Sequence, residues 1–343
     1  MIRVSTIIPV YNGAATIARA IYSALAQNYE HQEIIVIDDG SNDETASIIG
    51  NYGNKIVSLH QANRGRAVAR NVGLDVAKGE FIAFLDADDE WFSHKLATQV
   101  PVLEDNPECV LVFSNAIGVD CRGESFREST QPSEYAHAPT LQELRKNGIW
   151  TSMTSSWLMR RSTIEAYHGF VESFGYHWGG EDSLLFFRAR EFGSFHYIPE
   201  CLVRIRLSTT LEHLRKRLHG IDRALPAQER LRQFFVGEDH YLELIQSHYG
   251  PNDWTDAAGK MRAQKQPLLL SLALLALYEG DRALARQAYL TLLRDAPLRL
   301  KTYLRFLWTF VPSKTSHYIL RPIPFRYRQA LIGPPRNNKH WWA

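Results

Sequence analysis

The run FIAFLDADDEW, residues 81 to 91, places mostly apolar residues ahead of the carboxylates Asp86, Asp88, Asp89 and Glu90. An apolar strand end solvates ions poorly, and like charges repel. Residues i and i+2 of an extended segment point to the same side, so Asp86 and Asp88 present their carboxylates together. Such a pair calls for a divalent cation, a proton or a basic partner. Hard oxygen ligands suit Mg²⁺ or Mn²⁺; Mg²⁺ commonly takes one or two carboxylates and fills its shell with water and substrate phosphate. A metal-diphosphate complex would therefore account for the charge. An Asp-x-Asp triplet alone is a weak signal, and its place at the end of a buried strand gives it weight. The competing role is helix capping by Asp88 or Asp89.

Asp38 and Asp39 end the run EIIVIDDGS in the same way. Carboxylates there can accept hydrogen bonds from a ribose hydroxyl or a base N–H. The competing role is a capping turn, with Gly40 for tight geometry and Ser41 capping the next helix. In NRGRAVARN, helical spacing sets Arg66 and Arg70 on one face, with Arg64 and Asn71 close by. Arginine there can stack on a base or neutralise phosphate; for Arg64 and Arg66 a solvated charged face is the alternative. In WGGEDSLLFFR, Asp182 falls at a helix start, where its ionised form is favoured and where it could act as a general base. N-capping is the competing role. Trp178 and His177 precede it, and an aromatic platform beside a base suits a sugar ring, as a core tryptophan would also suit the pattern.

These residues need elements to hold them. VSTIIPVYN, EIIVIDDGS, KIVSLHQ, FIAFLD and CVLVFSNAIGVD read as buried strands. Between them, AATIARAIYSALAQNY, NDETASIIGNYG, GRAVARNVGLDVAKG (closed by Gly79) and HKLATQVPVLEDNP (until its proline) read as helices. This alternation predicts an α/β fold, a mainly parallel sheet with helices on both faces, whose site lies beyond the carboxyl ends of the strands. Residues 122–150 read as polar loop with a helix at LQELRKNG. TSSWLMRRSTIEAYHGF follows as strand then helix, and SFHYIPECLVRIRLST as a last strand pair. From about residue 210 the pattern is helical, with a hairpin turning at Gly280. Two domains are expected, 1–210 and 211–343.

The chain of 343 residues is 45% hydrophobic and 22% charged, an ordinary globular composition. The amino-terminal run lacks the charged, apolar and small-residue regions of a signal peptide. The three cysteines have no metal-binding spacing, which fits reduced thiols in a cytoplasmic protein. Residues 1–210 hold 18 Lys and Arg against 26 Asp and Glu, whereas residues 211–343 hold 21 against 11. From Arg282 onward there are 12 basic residues and one acidic. A basic end favours anionic surfaces. The apolar run Leu268 to Tyr278 has 11 residues, short of the ~20 needed to span a bilayer, so a buried helix is expected. LKTYLRFLWTFVP could lie on a membrane surface or pack on its own domain. No nucleic-acid-binding module is recognisable.

Taken in order, IIPVYNG (7–13), EIIVIDDGS (33–41), NRGRAVARNVGL (63–74), GEFIAFLDADD (79–89) and GGEDSLLFFR (179–188) resemble family 2 of the glycosyltransferases, inverting enzymes of the GT-A fold. The resemblance covers roughly residues 1–210. It implies a Rossmann-like catalytic domain over that stretch, while the helical, basic character of residues 211–343 makes that region the candidate for membrane-surface or oligomer contact. It assigns Pro9, Tyr11, Asp38 and Asp39 to a nucleoside pocket and Arg70 to the base or phosphates. Asp86 and Asp88 become the ribose- and metal-binding pair, with Mn²⁺ or Mg²⁺ as cofactor. Asp182, with Glu181 beside it, becomes the catalytic base. The implied partners are a nucleotide-sugar donor, UDP-linked by preference, and a glycan or lipid-linked acceptor at the inner face of the cell membrane, in envelope polysaccharide synthesis. One departure stands out: relatives often carry His after the last strand, whereas VRIRLST has Arg206, which would contact the diphosphate directly. Two other classes compete. A receiver-like phospho-acceptor domain also clusters aspartates, but needs a late-strand lysine and a shorter chain. An inactive nucleotide-binding scaffold would keep the same fold.

Overall fold

The computed structural model describes residues 2–119, 125–127, 153–172, 181–206, 221 and 224–234, together with 269–295 apart from 271, 274 and 278–280. The chain divides into two compact units, Met1–Leu207 and Ser208–Ala343.

In the first unit the strands are β1 (Val4–Val10), β2 (Gln32–Asp38), β3 (Val57–His60), β4 (Phe81–Phe84), β5 (Glu90–Trp91), β6 (Cys109–Val119), β7 (Ser125–Arg127), β8 (Leu158–Arg160) and β9 (Ser194–Arg206). They form one sheet in the order β3-β2-β1-β4-β8-β6-β9-β5, with β7 on β6. β1 pairs in parallel with β2 and β4, and β2 with β3. β8 enters antiparallel between β4 and β6, and β9 runs parallel to β6. The strands β1 to β4, β6 and β9 thus share one direction, as expected of a mainly parallel sheet.

Every residue of β1 and β4 is buried, the signature of strands covered on both faces. Alternation sorts their side chains. Val4, Ile8, Val36 and Ala83 face a core shared with α1 (Ile17–Leu25), α2 (Thr45–Gly50) and α4 (Lys95–Asp105). Ile7 and Ile37 face the other way, against Gly73 of α3 (Arg66–Val76). The other α-helices among the described residues of this unit are α5 (Arg161–Ala166) and α6 (Glu181–Ala189). Phe186 of α6 packs on Phe113, Trp157 and Phe195.

Three local expectations change. The last strand pair is one long strand, β9; its register slips where Ser114 faces Ile198 and Asn115 faces Cys201, so Pro199 sits in a bulge rather than in a turn. Gly79 does not close α3, which already ends in an extended Ala77. A Cβ at Gly79 would lie 2.5 Å from the Ser5 nitrogen, so glycine is needed there for close passage of two backbones. Ser41 does not cap α2; its hydroxyl accepts the Asn12 N–H at 2.9 Å and ties two loops together.

In the second unit, helical residues within 269–277 and the helix α7 (Arg282–Asp295) lie on either side of the expected hairpin turn, whose Gly280 is outside the described residues. Leu284, Ala285, Ala288, Tyr289 and Leu292 form a buried stripe at helical spacing and pack with Leu269, Leu272 and Leu275. Asp281 accepts the Leu284 N–H at 3.1 Å, capping α7, and pairs with Arg230. No helix among the described residues is long and apolar enough to cross a membrane. The helix expected at LQELRKNG and the LKTYLRFLWTFVP segment lie outside the described residues.

Candidate active site

Because β1 to β4 share a direction, their carboxyl ends meet along one edge, and the acidic residues gather there. Asp38 ends β2 and Asp39 follows it; each is 3% exposed. Asp38 Oδ1 accepts the Ser41 N–H at 2.9 Å, and Oδ2 lies 3.2 Å from His60 Nδ1. Asp39 Oδ1 accepts from Gln61 Nε2 (2.7 Å) and the Arg64 N–H (2.8 Å), and Oδ2 accepts the Gly65 N–H at 2.8 Å. Asp39 therefore shapes the loop into α3, while Asp38 ties the turn after β2 to the end of β3. Pro9 is buried inside β1, and Tyr11 just beyond β1 is half exposed.

Arg70 lies deeper than a phosphate contact would require. Its side chain is 1% exposed, with Nη2 donating to Asp86 Oδ1 at 2.8 Å and Nη1 to Glu181 Oε1 at 2.7 Å. Its guanidinium lies 5.2 Å from the centroid of the Phe170 ring. Burial disfavours the guanidinium charge, but Asp86 and Glu181 outweigh it and hold the group protonated. Arg66, one turn earlier and half exposed, brings Nε within 3.7 Å of the same Glu181 oxygen. Burial pushes the Glu181 carboxyl up; Arg66 and Arg70 oppose that and Asp182 adds to it. In this structure Arg70 thus meets the edge through carboxylates. The reason is that Glu181, buried and unpaired, would be far costlier than the ion pair.

Within the acidic run, exposure separates the roles. Asp88 is exposed and Asp86 has 36% of its side chain exposed, so both face the edge. Asp89 is buried; Oδ2 accepts the Ser155 hydroxyl at 2.6 Å and Oδ1 accepts the Arg206 N–H at 2.9 Å. Burial raises the Asp89 pKa well above the usual carboxylate range, and Asp88 and Asp86 raise it further. It pins the end of β9 to the loop after β4. Arg206 reaches this site through its backbone.

Asp182 sits in the first turn of α6, half-buried. Its Oδ1 accepts the Ser183 N–H at 2.6 Å and its Oδ2 the Thr154 hydroxyl at 3.1 Å. Trp178 and His177 lie outside the described residues. Among the described residues no group of three or more His, Cys, Asp or Glu is arranged to hold a metal ion. Asp86 and Asp88 would supply two carboxylates to a bound cation, the number Mg²⁺ commonly takes when a diphosphate completes its shell.

A model of glycosyl transferase family 2 matches residues 5–167, the stretch from β1 to α5. That stretch belongs to glycosyltransferase family 2. An uncharacterized glycosyltransferase of Nostoc sp. is 43% identical over 169 residues, 48% of this chain and 52% of that one. The putative glycosyltransferase EpsH of Bacillus subtilis is 28% identical over 284 residues, 76% of this chain and 80% of that one. An uncharacterized glycosyltransferase of Rickettsia prowazekii is 42% identical over 125 residues, 36% of this chain and only 39% of that one. In fold, the crystal structure of S. aureus TarS residues 1–349 with UDP superposes with a TM-score of 0.51 at 18% identity, covering 90% of this chain and 89% of that one. The same TarS segment is also known with UDP-GlcNAc (TM-score 0.51, 20% identity, covering 86% and 91% of the two chains).

The N-terminal unit also uses residues to which the sequence motifs gave no role. Asn71, one residue past Arg70, bonds both the Phe170 N–H (2.8 Å) and its carbonyl (2.9 Å), holding the ring against Arg70. Ser155 accepts the Asp86 N–H at 3.0 Å and donates to Asp89. The hydroxyl-rich run TSMTSSW just ahead of β8 was the available signal. Beneath it, Lys95 is fully buried, with Nζ 2.7 Å from Gln99 Oε1 and 4.1 Å from the centroid of the Trp91 ring. Burial holds the Lys95 pKa well below its ordinary value of 10.5. Between the folded and unfolded values only the unfolded chain takes up the proton, so this contribution to stability is lost as pH falls and recovered as it rises toward 10.5. Urea unfolding of wild type and Lys95→Met across pH 7–10 is expected to show wild type gaining on the variant with pH, and a flat difference would refute the assignment.

Proposed function

We propose that this chain is an inverting glycosyltransferase that moves a sugar from a nucleoside-diphosphate sugar to a hydroxyl of a glycan or lipid-linked acceptor. One observation carries the reading: Arg70 bridges Asp86 and Glu181, so the diacid loop after β4 and the helix bearing Asp182 are tied together at one sheet edge. Asp38 and Tyr11 flank that edge, where a nucleoside would lie. The TarS structures with UDP and UDP-GlcNAc support a UDP-sugar as donor.

Asp182 takes the proton from the acceptor hydroxyl. The oxygen attacks the anomeric carbon from the face opposite the leaving group, whose bonding electrons depart with the nucleoside diphosphate, so the configuration inverts. Asp86 and Asp88 would hold Mg²⁺ or Mn²⁺. A cation there supplies charge stabilisation for the departing diphosphate. One protein base then suffices, unlike inverting glycoside hydrolysis, which needs an acid and a base.

Turnover of a panel of nucleotide-sugars with Mn²⁺ or Mg²⁺, with the anomeric configuration of the product read by NMR, tests this reading. Inversion on at least one donor is expected; retention, or no turnover of any donor, overturns it. Asp88→Asn is expected to raise the metal concentration for half-maximal turnover about tenfold or more. An unchanged metal titration would remove Asp88 from the metal site. The basic balance after Arg282 supports a lipid-linked acceptor and contact with an anionic membrane face. Sedimentation with vesicles containing anionic lipid is expected for the full chain, with loss in high salt.

A further inference from the structure

The turn Thr154–Ser156, which leads into β8, is held from below at three successive carbonyls. The Trp91 indole N–H donates to the Ser155 carbonyl at 2.8 Å, Gln99 Nε2 to that of Ser156 at 2.8 Å, and Lys95 Nζ to that of Trp157 at 3.3 Å. All three donors come from β5 and α4 and are buried. Thr154, Ser155 and Ser156 are buried as well. Because β8 runs antiparallel to β4, with Ala83 opposite Leu158, its leading turn arrives at the carboxyl end of β4. From there the turn reaches both halves of the site. Ser155 engages the Asp86 N–H and the Asp89 carboxylate, and Thr154 donates to Asp182 Oδ2.

We propose that Thr154 is a positioning residue that fixes the Asp182 carboxylate for the acceptor hydroxyl, with the pinned turn as its rigid support. The proposal rests on the glycosyl-transfer reading above. Among the described residues, the other hydrogen bonds to the Asp182 side chain come from its own neighbour Ser183, whose N–H (2.6 Å) and hydroxyl (3.4 Å) both donate to Oδ1. The second carboxylate oxygen is oriented from a different element, one that also holds the loop carrying Asp86. A base set to within a fraction of an ångström of its target is what a pre-organised site requires. The family motifs do not reach this residue, since it belongs to none of the matched acidic or arginine runs.

The test compares Thr154→Val and Thr154→Ser with wild type on the donor identified above. Thr154→Val keeps the buried shape and removes the hydroxyl. It is expected to lower kcat about 10- to 100-fold with the donor KM nearly unchanged, and Thr154→Ser is expected to restore most of kcat. An unchanged kcat in Thr154→Val, or a Thr154→Ser variant as impaired as the valine one, would overturn the proposal, the latter by pointing to methyl packing. If wild type turns over no donor, the glycosyl-transfer reading fails by itself. Crystal structures of the two variants then decide the positioning role. Asp182 displaced in Thr154→Val and in place in Thr154→Ser supports it, and the same Asp182 rotamer in both overturns it.

Discussion

Replacing Arg70 with leucine is expected to destabilise the full chain by about 3–5 kcal/mol at pH 7, the loss typical when one partner of a buried ion pair is removed. The burden falls on Glu181, 1% exposed, rather than on Asp86, which retains access to solvent. Arg66 remains, but it is half exposed and 3.7 Å away, and screening weakens it. The pH dependence carries a sign. Burial first, and then Asp182, place the folded pKa of Glu181 above its ordinary value of 4.5. Stability linked to the protonated acid is fully present below that ordinary value and is lost as pH rises through the folded one. Removing Arg70 moves the folded value further in the same direction, so the deficit is expected to be smaller at pH 5 than at pH 7. Arg70→Leu combined with Glu181→Leu is expected to recover much of the loss, because an apolar pair of similar volume often replaces a buried ion pair at little cost. Urea unfolding at both pH values measures all three quantities. A deficit under about 1 kcal/mol, the range of exposed pairs, would show that Arg70 is not the linchpin between the diacid loop and α6.

That network also shows what the sequence could and could not reveal. The parallel half of the sheet was legible because β1, β4 and most of β2 are buried and so read as short, mostly apolar runs ending in Asp or Asn-Gly. The antiparallel insertion of β8 was not, since Leu158–Arg160 is too short to carry a period and its partners are distant in sequence. β9 was misjudged because Pro199 looks like a break until the bulge beside it is seen. For the site, residue type identified the carboxylates but not their exposure. Asp86, Asp88 and Asp89 are alike in the sequence, and only the arrival of Ser155 and Arg206 beside Asp89 turns that one into a structural tie. Arg70 illustrates the same limit. Its charge and helical position were readable, whereas its choice between ligand and carboxylates depended on where α6 delivers Glu181. Thr154 had no signal beyond a hydroxyl-rich run, because its importance lies in a contact across 28 residues of chain.

Asp182→Asn is expected to lower glycosyl transfer about 10²- to 10⁴-fold, the range supplied by a positioned general base, while nucleoside diphosphate binding stays at the wild-type level. The substitution suits the geometry. The amide oxygen can still accept the Ser183 N–H, and the Thr154 hydroxyl can reverse its role and accept from the amide nitrogen. Shape and local hydrogen bonding are thereby kept, and the loss is confined to proton acceptance. Binding is expected to persist because the residues proposed for the nucleoside and diphosphate, Asp38, Tyr11, Asp86 and Asp88, stand on other elements. Calorimetric titration with UDP and a coupled assay of released nucleotide separate the two effects. This pairing distinguishes an enzyme from a catalytically inactive scaffold of the same fold. A scaffold would bind nucleotide equally well in both forms and show no transfer to lose. If instead Asp182→Asn retained full transfer, Asp182 would not be the base, and Glu181, paired with Arg70 and 1% exposed, would be poorly placed to replace it. Loss of nucleotide binding together with transfer would make Asp182 part of the donor site and leave the identity of the base to be found beyond α6.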